Sequence, residues 1–271
     1  MSRAVAALVL AAGLLAPASA AAEESAGEAT AGRDAAVRNQ RPATEVEAGF
    51  SHENLSSGYD DWRSVYLEGA HHFAPGKTLY GMVRETKRFG LRDLQATAGL
   101  YHPAGEHWTA LVEASSAPQH RVLPRYSVFA QMRRALPAGW GAALGYRHSE
   151  YNDTRASTLV VDLERYFGSF RGAYTLYLGH TPDAPTVAAH RFLLAYYYGE
   201  RNSVGASFTF GEEVANLGPP TGVTTTDVRT FALFGRHWLN AAWAISYELV
   251  QQEQGNLYRY NGIRLGLRHR F

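Results

Sequence analysis

The chain has 271 residues, long enough for one large domain, with no cysteine and a formal net charge of +1. The missing cysteines exclude a disulfide framework and thiolate chemistry, and the near-neutral charge lacks the basic excess that displaces counterions from nucleic acid. With 16 Tyr, 12 Phe and 5 Trp, the chain is aromatic-rich, as a membrane barrel with two interfacial girdles requires.

In chain order, Arg3 forms a short basic region, Ala4 to Leu15 an apolar run, and Ala18, Ser19 and Ala20 a small-residue cleavage triplet. This is the layout of a secretory signal peptide over residues 1–20, with the mature chain starting near Ala21. The run is too short for a membrane helix, which needs about 20 apolar residues. Residues 21–43 hold Ala, Glu, Gly and Arg without aromatics. Such a composition cannot bury enough surface to order itself and reads as a flexible periplasmic tail. From Thr44 to Phe271 the pattern turns to alternating stretches of about ten residues, the period of membrane-crossing strands.

Turn chemistry divides this region. Short turn signals fall at 74–77, 103–106, 137–139, 168–169, 199–202 and 239–241, most of them carrying Gly, Pro or Asn. Between them lie more variable connections at 56–61, 87–91, 117–123, 151–153, 181–185, 212–225 and 252–256. Six short turns and seven loops predict an all-β, transmembrane, antiparallel up-and-down barrel of 14 strands over residues 44–271. Twelve is the fallback if a hairpin near Lys87 or His180 is over-counted. An even count puts both termini in the periplasm of a Gram-negative bacterium. The stretch 212–225 is the longest loop by this reading, with Gly218, Pro219, Pro220 and three threonines, and is either an inward constriction or an exposed mobile loop.

Side-chain alternation assigns faces. On the last strand Ile263, Leu265, Leu267, His269 and Phe271 share the lipid side, leaving Arg264, Arg268 and Arg270 for the lumen. The first strand sets Glu45, Glu47 and Glu53 opposite Val46, Ala48 and Phe50. Closing the barrel lays these two strands together, which predicts a Glu–Arg ladder across the seam. Asp162, Glu164, Arg147 and Arg171 are further lumen-lining candidates. Arg165 breaks its strand's pattern unless it snorkels at the periplasmic interface. The segment Phe192 to Tyr198 is apolar on both faces and takes no assignment. Tyr196, Tyr197, Tyr198, Tyr258 and Tyr260 would stack on sugar rings if luminal, but read first as outward girdle residues.

No catalytic set emerges. His148, Ser149 and Glu150 are adjacent, but on a strand the serine faces away from the other two. The histidines at 71, 72, 102 and 107 sit by short turns without paired carboxylate spacing, so no metal or cofactor is expected.

The stretches Gly235 to Tyr247, Gln254 to Tyr258 and Gly266 to Phe271 resemble the C-terminal signature of the YaiO family of outer-membrane β-barrels. Segments at 200–204, 211–214 and 223–229 are similar to the same family, so the resemblance runs over Thr44 to Phe271. Family members often carry Tyr where this chain has His269, and some carry helical repeats before the barrel, where this chain has a short tail. The terminal Phe271 resembles the signal read by the barrel assembly machinery. The family resemblance implies an outer-membrane location and surface glycan or envelope biology. The expected function is non-enzymatic passage or handling of a polar solute or polysaccharide by a monomer surrounded by outer-membrane lipids. The alternatives are a lipid-modifying enzyme with a rim site and a plugged barrel presenting loops.

Overall fold

The structure is a computed structural model that describes residues 8–9, 42–182, 184–216 and 223–271. The signal segment and tail lie outside the described residues, except for residues 8–9 and 42–43. Fourteen strands form the wall. They are β1 (Ala43–Leu55), β2 (Trp62–Ala74), β3 (Lys77–Arg88), β4 (Leu91–Pro103), β5 (Trp108–Ser116), β6 (Tyr126–Ala135) and β7 (Trp140–Glu150). The second half is β8 (Arg155–Phe167), β9 (Phe170–Thr181), β10 (Ala184–Tyr198), β11 (Asn202–Asn216), β12 (Val223–Trp238), β13 (Trp243–Gln254) and β14 (Tyr258–Arg270). Every neighbour pair is antiparallel, and β14 pairs with β1 over Tyr260↔Leu55 to Arg270↔Glu45, so the sheet closes. The dipeptide Leu8–Val9 bridges to Asn216 and Ala215 and takes no part in the closure.

Both doubtful hairpins exist, which settles the strand number at fourteen. The connection predicted at 87–91 is a two-residue turn in which Phe89 (φ 51) and Gly90 (φ 75) both have positive φ. That backbone is the type I′ condition, matched to strand twist. The stretch 212–225 is corrected. Gly211–Asn216 and Val223–Val228 continue the ladder between β11 and β12, because the threonine run 224–226 is β-branched and pairs readily. The loop shrinks to 217–222, which lies outside the described residues, and 117–125 is the longer connection.

The wall has two faces. Val65, Leu67, Leu94, Leu144, Leu163, Phe192, Leu194, Phe231 and Leu267 are exposed on its outer surface, spread over seven strands. A water-soluble protein does not carry an apolar surface this large. Phe192, Leu194 and Tyr196 face out and Ala195 in, which assigns the segment that alternation left open. Tyr258 and Tyr260 are corrected: they are 2% and 4% exposed, and pack inside against Trp62 and Leu55. At the short-turn rim, Arg134, Arg165 and Arg201 lie over Trp108, Trp140 and Trp238 at 5.3, 5.2 and 4.0 Å. Arg165 is thus accommodated on the outside by cation–π contact beside a turn.

Packing inside the wall depends on glycines. A Cβ on Gly99 would lie 2.3 Å from Tyr80 Cζ, whereas one on Gly81 meets only Thr97 O at 3.5 Å. Gly99→Ala is therefore expected to destabilise the barrel by about 1–3 kcal/mol through overpacking, and Gly81→Ala to cost far less. Urea unfolding midpoints of the refolded variants in detergent measure the difference.

Candidate functional site: the barrel interior

The interior charges are organised in knots. At the seam, Arg268 is the centre. Its Nε donates to Glu47 Oε2 at 2.7 Å, its Nη1 to Glu45 Oε2 at 2.8 Å and its Nη2 to Glu68 Oε1 at 3.3 Å. Arg268 and Glu47 are direct cross-strand partners, and all four side chains are buried. Arg270 approaches Glu45 at 3.8 Å. Glu47 also accepts from Tyr66 OH at 2.7 Å and Ser246 Oγ at 2.8 Å. A second knot forms where Glu164 accepts from Arg171 Nε at 2.9 Å and from Arg133 Nη1. Asp162 beside it accepts from Gln131 Nε2 at 3.0 Å and Thr175 Oγ1 at 2.5 Å.

A third group sits between the knots and an apolar cluster. Glu113 accepts from Tyr80 OH at 2.6 Å and from Arg147 Nη1 at 3.3 Å, while Arg147 lies 4.7 Å over the Phe129 ring. Tyr80, Tyr101, Leu111, Phe129 and Val160 pack together beside it. Arg264 donates to Tyr66 OH at 3.3 Å and lies 3.7 Å from Glu248. Glu53 is half-buried and lines a cavity near the loop rim. Thus the sequence-derived candidates divide: Glu45, Glu47, Arg268 and Arg270 meet at the seam, Arg264 joins them through Tyr66, Asp162, Glu164 and Arg171 form the second group, and Arg147 and Glu53 lie outside both knots. Glu68, Glu113, Arg133, Tyr66 and Arg84 also carry the network and escaped sequence reading. The alternation of Leu111, Val112, Glu113 and Ala114 offered a weak signal for one of them.

Loop residues pack onto the loop rim. Asp93, 1% exposed, accepts the backbone N–H groups of Arg121, Val122 and Leu123 at 3.0, 2.8 and 2.8 Å. This carboxylate draws loop 117–125 onto the interior side of β4 and buries Ala117, Val122 and Leu123. Asn152 Nδ2 ties the same loop to the next through His120 O at 3.0 Å. Tyr151 reaches Val187 and Val214 on β10 and β11, and burial pushes its hydroxyl pKa up to about 12, so it stays neutral. Tyr59 and Phe89 cover Trp62 and Tyr258 in edge-on ring contacts of 5.2 to 6.4 Å.

Residues 43–213 match the YaiO membrane beta barrel domain. The chain belongs to the YaiO membrane β-barrel family. The match ends before Gly235 to Phe271, the block whose resemblance is most specific. A bacterial polysaccharide outer membrane secretin is similar to this YaiO-family barrel with a TM-score of 0.50 at 10% identity, over 84% of this chain and 98% of that one. The translocator domain of autotransporter NalP from Neisseria meningitidis gives 0.47 at 13% identity over 100% of both chains. An anion-selective porin from Comamonas acidovorans gives 0.45 at 8% identity, over 85% of this chain and 99% of that one. No curated protein matches this YaiO-family sequence.

The rim histidine does find a hydroxyl. Ser157 Oγ lies 3.2 Å from His148 Nδ1 and accepts from Tyr146 OH at 2.8 Å, while Ser149 instead bonds Ser127 at 2.9 Å. Cross-strand His–hydroxyl pairs recur in this YaiO-family barrel at Thr44–His71, His72–Thr78 and Tyr174–His190, so the pair is one of a set. Among the described residues no group of three or more His, Asp or Glu is placed to hold a metal ion.

Removing the guanidinium of Arg268 strands three buried carboxylates. Arg268→Met is expected to cost about 3–5 kcal/mol, the range for breaking a buried pair. Arg92→Met, which loses a pair with side chains 63% and 45% exposed, should cost less than about 1 kcal/mol. Urea denaturation of refolded protein compares the two.

Proposed function

We propose that this barrel is a non-enzymatic outer-membrane protein that passes or handles a polar solute or glycan strand through a latched interior. In this reading the loop rim faces outward and the short-turn rim, with both termini, faces the periplasm. Outer-membrane lipids surround a monomer, and Phe271 is read by the barrel assembly machinery. The carrying observation is the Asp93 latch, a fully buried carboxylate satisfied by three loop N–H groups. Charged acceptors make hydrogen bonds roughly twice as strong as neutral ones, so this loop is held down by chemistry that one substitution removes. Polar side chains such as Gln95, Thr97 and Glu113 stand among the apolar ones in the interior below it, as suits a path for a polar solute.

The second reading, a plugged barrel that presents its loops to partners, draws on the same latch and on the apolar inserts Val122, Leu123 and Tyr151. A rim lipid hydrolase would use His148 and Ser157, whose hydroxyl already accepts from Tyr146.

Planar-bilayer recordings separate these. The intact protein should be nearly silent, and Asp93→Ala should raise the open fraction about tenfold or more, since losing a charge-assisted bond costs on the order of 1.5–3 kcal/mol. Equal conductance in both would remove the latch, and silence in both would favour the plugged barrel.

A further inference from the structure

Beneath the loop rim, β1, β2, β3, β13 and β14 enclose a cavity of about 70 Å³. Trp62, Tyr66 and Tyr260 supply aromatic walls, and Arg84, Arg88 and Arg264 supply positive charge. Glu53 and Glu248 bring two negative charges, so the lining carries an excess of one positive charge. The hydroxyls of Ser51 and Ser64 complete the polar side.

These groups are unequally committed. Arg264 is engaged by Glu248 at 3.7 Å and by Tyr66 OH at 3.3 Å. Arg88 lies 4.5 Å over the Trp62 ring, which holds its guanidinium at the cavity without neutralising it. Arg84 gives Nη2 to Gln95 at 2.8 Å, but its Nε is buried without a hydrogen-bond partner. Trp62 is 4% exposed, and its Nε1 is also buried without a partner. Buried polar groups are ordinarily satisfied, and an orphan calls for an explanation. Both orphans in this lining are donors, so the complement is rich in acceptors. One surplus positive charge suits a monoanion better than a dianionic phosphate. The aromatic walls suit the apolar face of a ring. A water needs about 10–15 Å³ of such space, so the cavity holds a carboxylate and part of a ring, not a whole oligomer.

We propose that this cavity binds the carboxylate-bearing ring of an acidic sugar, a uronate-class unit, from the solute or strand that the barrel handles. The carboxylate meets Arg84 and Arg88, the ring lies along Trp62 and Tyr260, and the ring hydroxyls meet Ser51, Ser64 and Glu53. The inference rests on the reading of the barrel as a handler of polar solutes, and it adds the charge and shape of the ligand.

The test is isothermal titration of the refolded full chain, intact and as Asp93→Ala, with sodium glucuronate, glucose, acetate and inorganic phosphate. Glucuronate is expected to bind saturably to at least one of the two proteins. Glucose, acetate and phosphate should each bind roughly tenfold or more weakly, because each lacks the ring, the charge or the charge match. Arg84→Gln and Trp62→Phe should each weaken glucuronate binding about tenfold while keeping the heat-modifiable gel mobility of a folded barrel. Trp62→Phe removes the N–H and keeps an aromatic ring at the cavity wall, so it decides the matter if Arg84→Gln fails to fold. Absence of saturable glucuronate binding in both proteins overturns the proposal. So does glucose, acetate or phosphate binding as well as glucuronate, or unchanged glucuronate affinity in the folded variants. Binding is read at equilibrium without conductance, so a silent bilayer would count against passage and leave this site standing.

Discussion

A backbone amide in hydrocarbon has no water to bond, so every strand needs a neighbour on both sides. The rest of this structure depends on that constraint. It forces β14 against β1 and so lays Arg268 directly across from Glu47. It also sends alternate side chains inward, where polar groups must satisfy one another. The ladder sets the register, and the register decides which charges meet.

The interior is graded from one rim to the other. Toward the short turns it is ionic, with two knots built around Arg268 and Glu164. Toward the loops it becomes aromatic, with Trp62, Tyr258 and Tyr260 beneath Tyr59 and Phe89. Buried ion pairs are weak evidence of stability when weighed against apolar replacements. Here their value lies in specificity, since a one-residue slip at the seam would send the inward charges of the slipped strand into lipid. The aromatic half works differently. Its charges, among them Arg84, Arg88 and Glu53, line a cavity beside the rings, and loop 117–125 is held by hydrogen bonds that can exchange for water.

Much of this was legible in the chain. The fourteen strands follow from turn residues such as Pro75 and Gly76, because tight reversals demand particular backbone angles. Faces were readable on β8, where Asp162 and Glu164 alternate with Leu159, Val161 and Leu163. They were unreadable on β10 from Phe192 onward, where the inward row runs through Ala195 and is itself apolar. Tyr258 and Tyr260 misled for the same reason: an aromatic interior at the loop rim has the composition of an interfacial girdle. The latch was invisible, since Asp93 binds backbone N–H groups whose presence no residue type announces. The threonine run at 224–226 read as loop because Gly and Pro precede it, yet its pairing with β11 is local strand chemistry. The pairing of Ser157 with His148 required the register between β7 and β8.

Arg268 has one more consequence. It sits on β14 and pairs at once with Glu45, Glu47 and Glu68, which belong to the first two strands. A chain cut short before its last strand keeps that acidic cluster without Arg268 and Arg270, leaving Arg236 as the nearby cation, and has an open edge beside it. Such a chain is at a disadvantage twice over in entering a bilayer. The seam thereby acts as an electrostatic test of closure, passed only when β14 has been made and placed against β1.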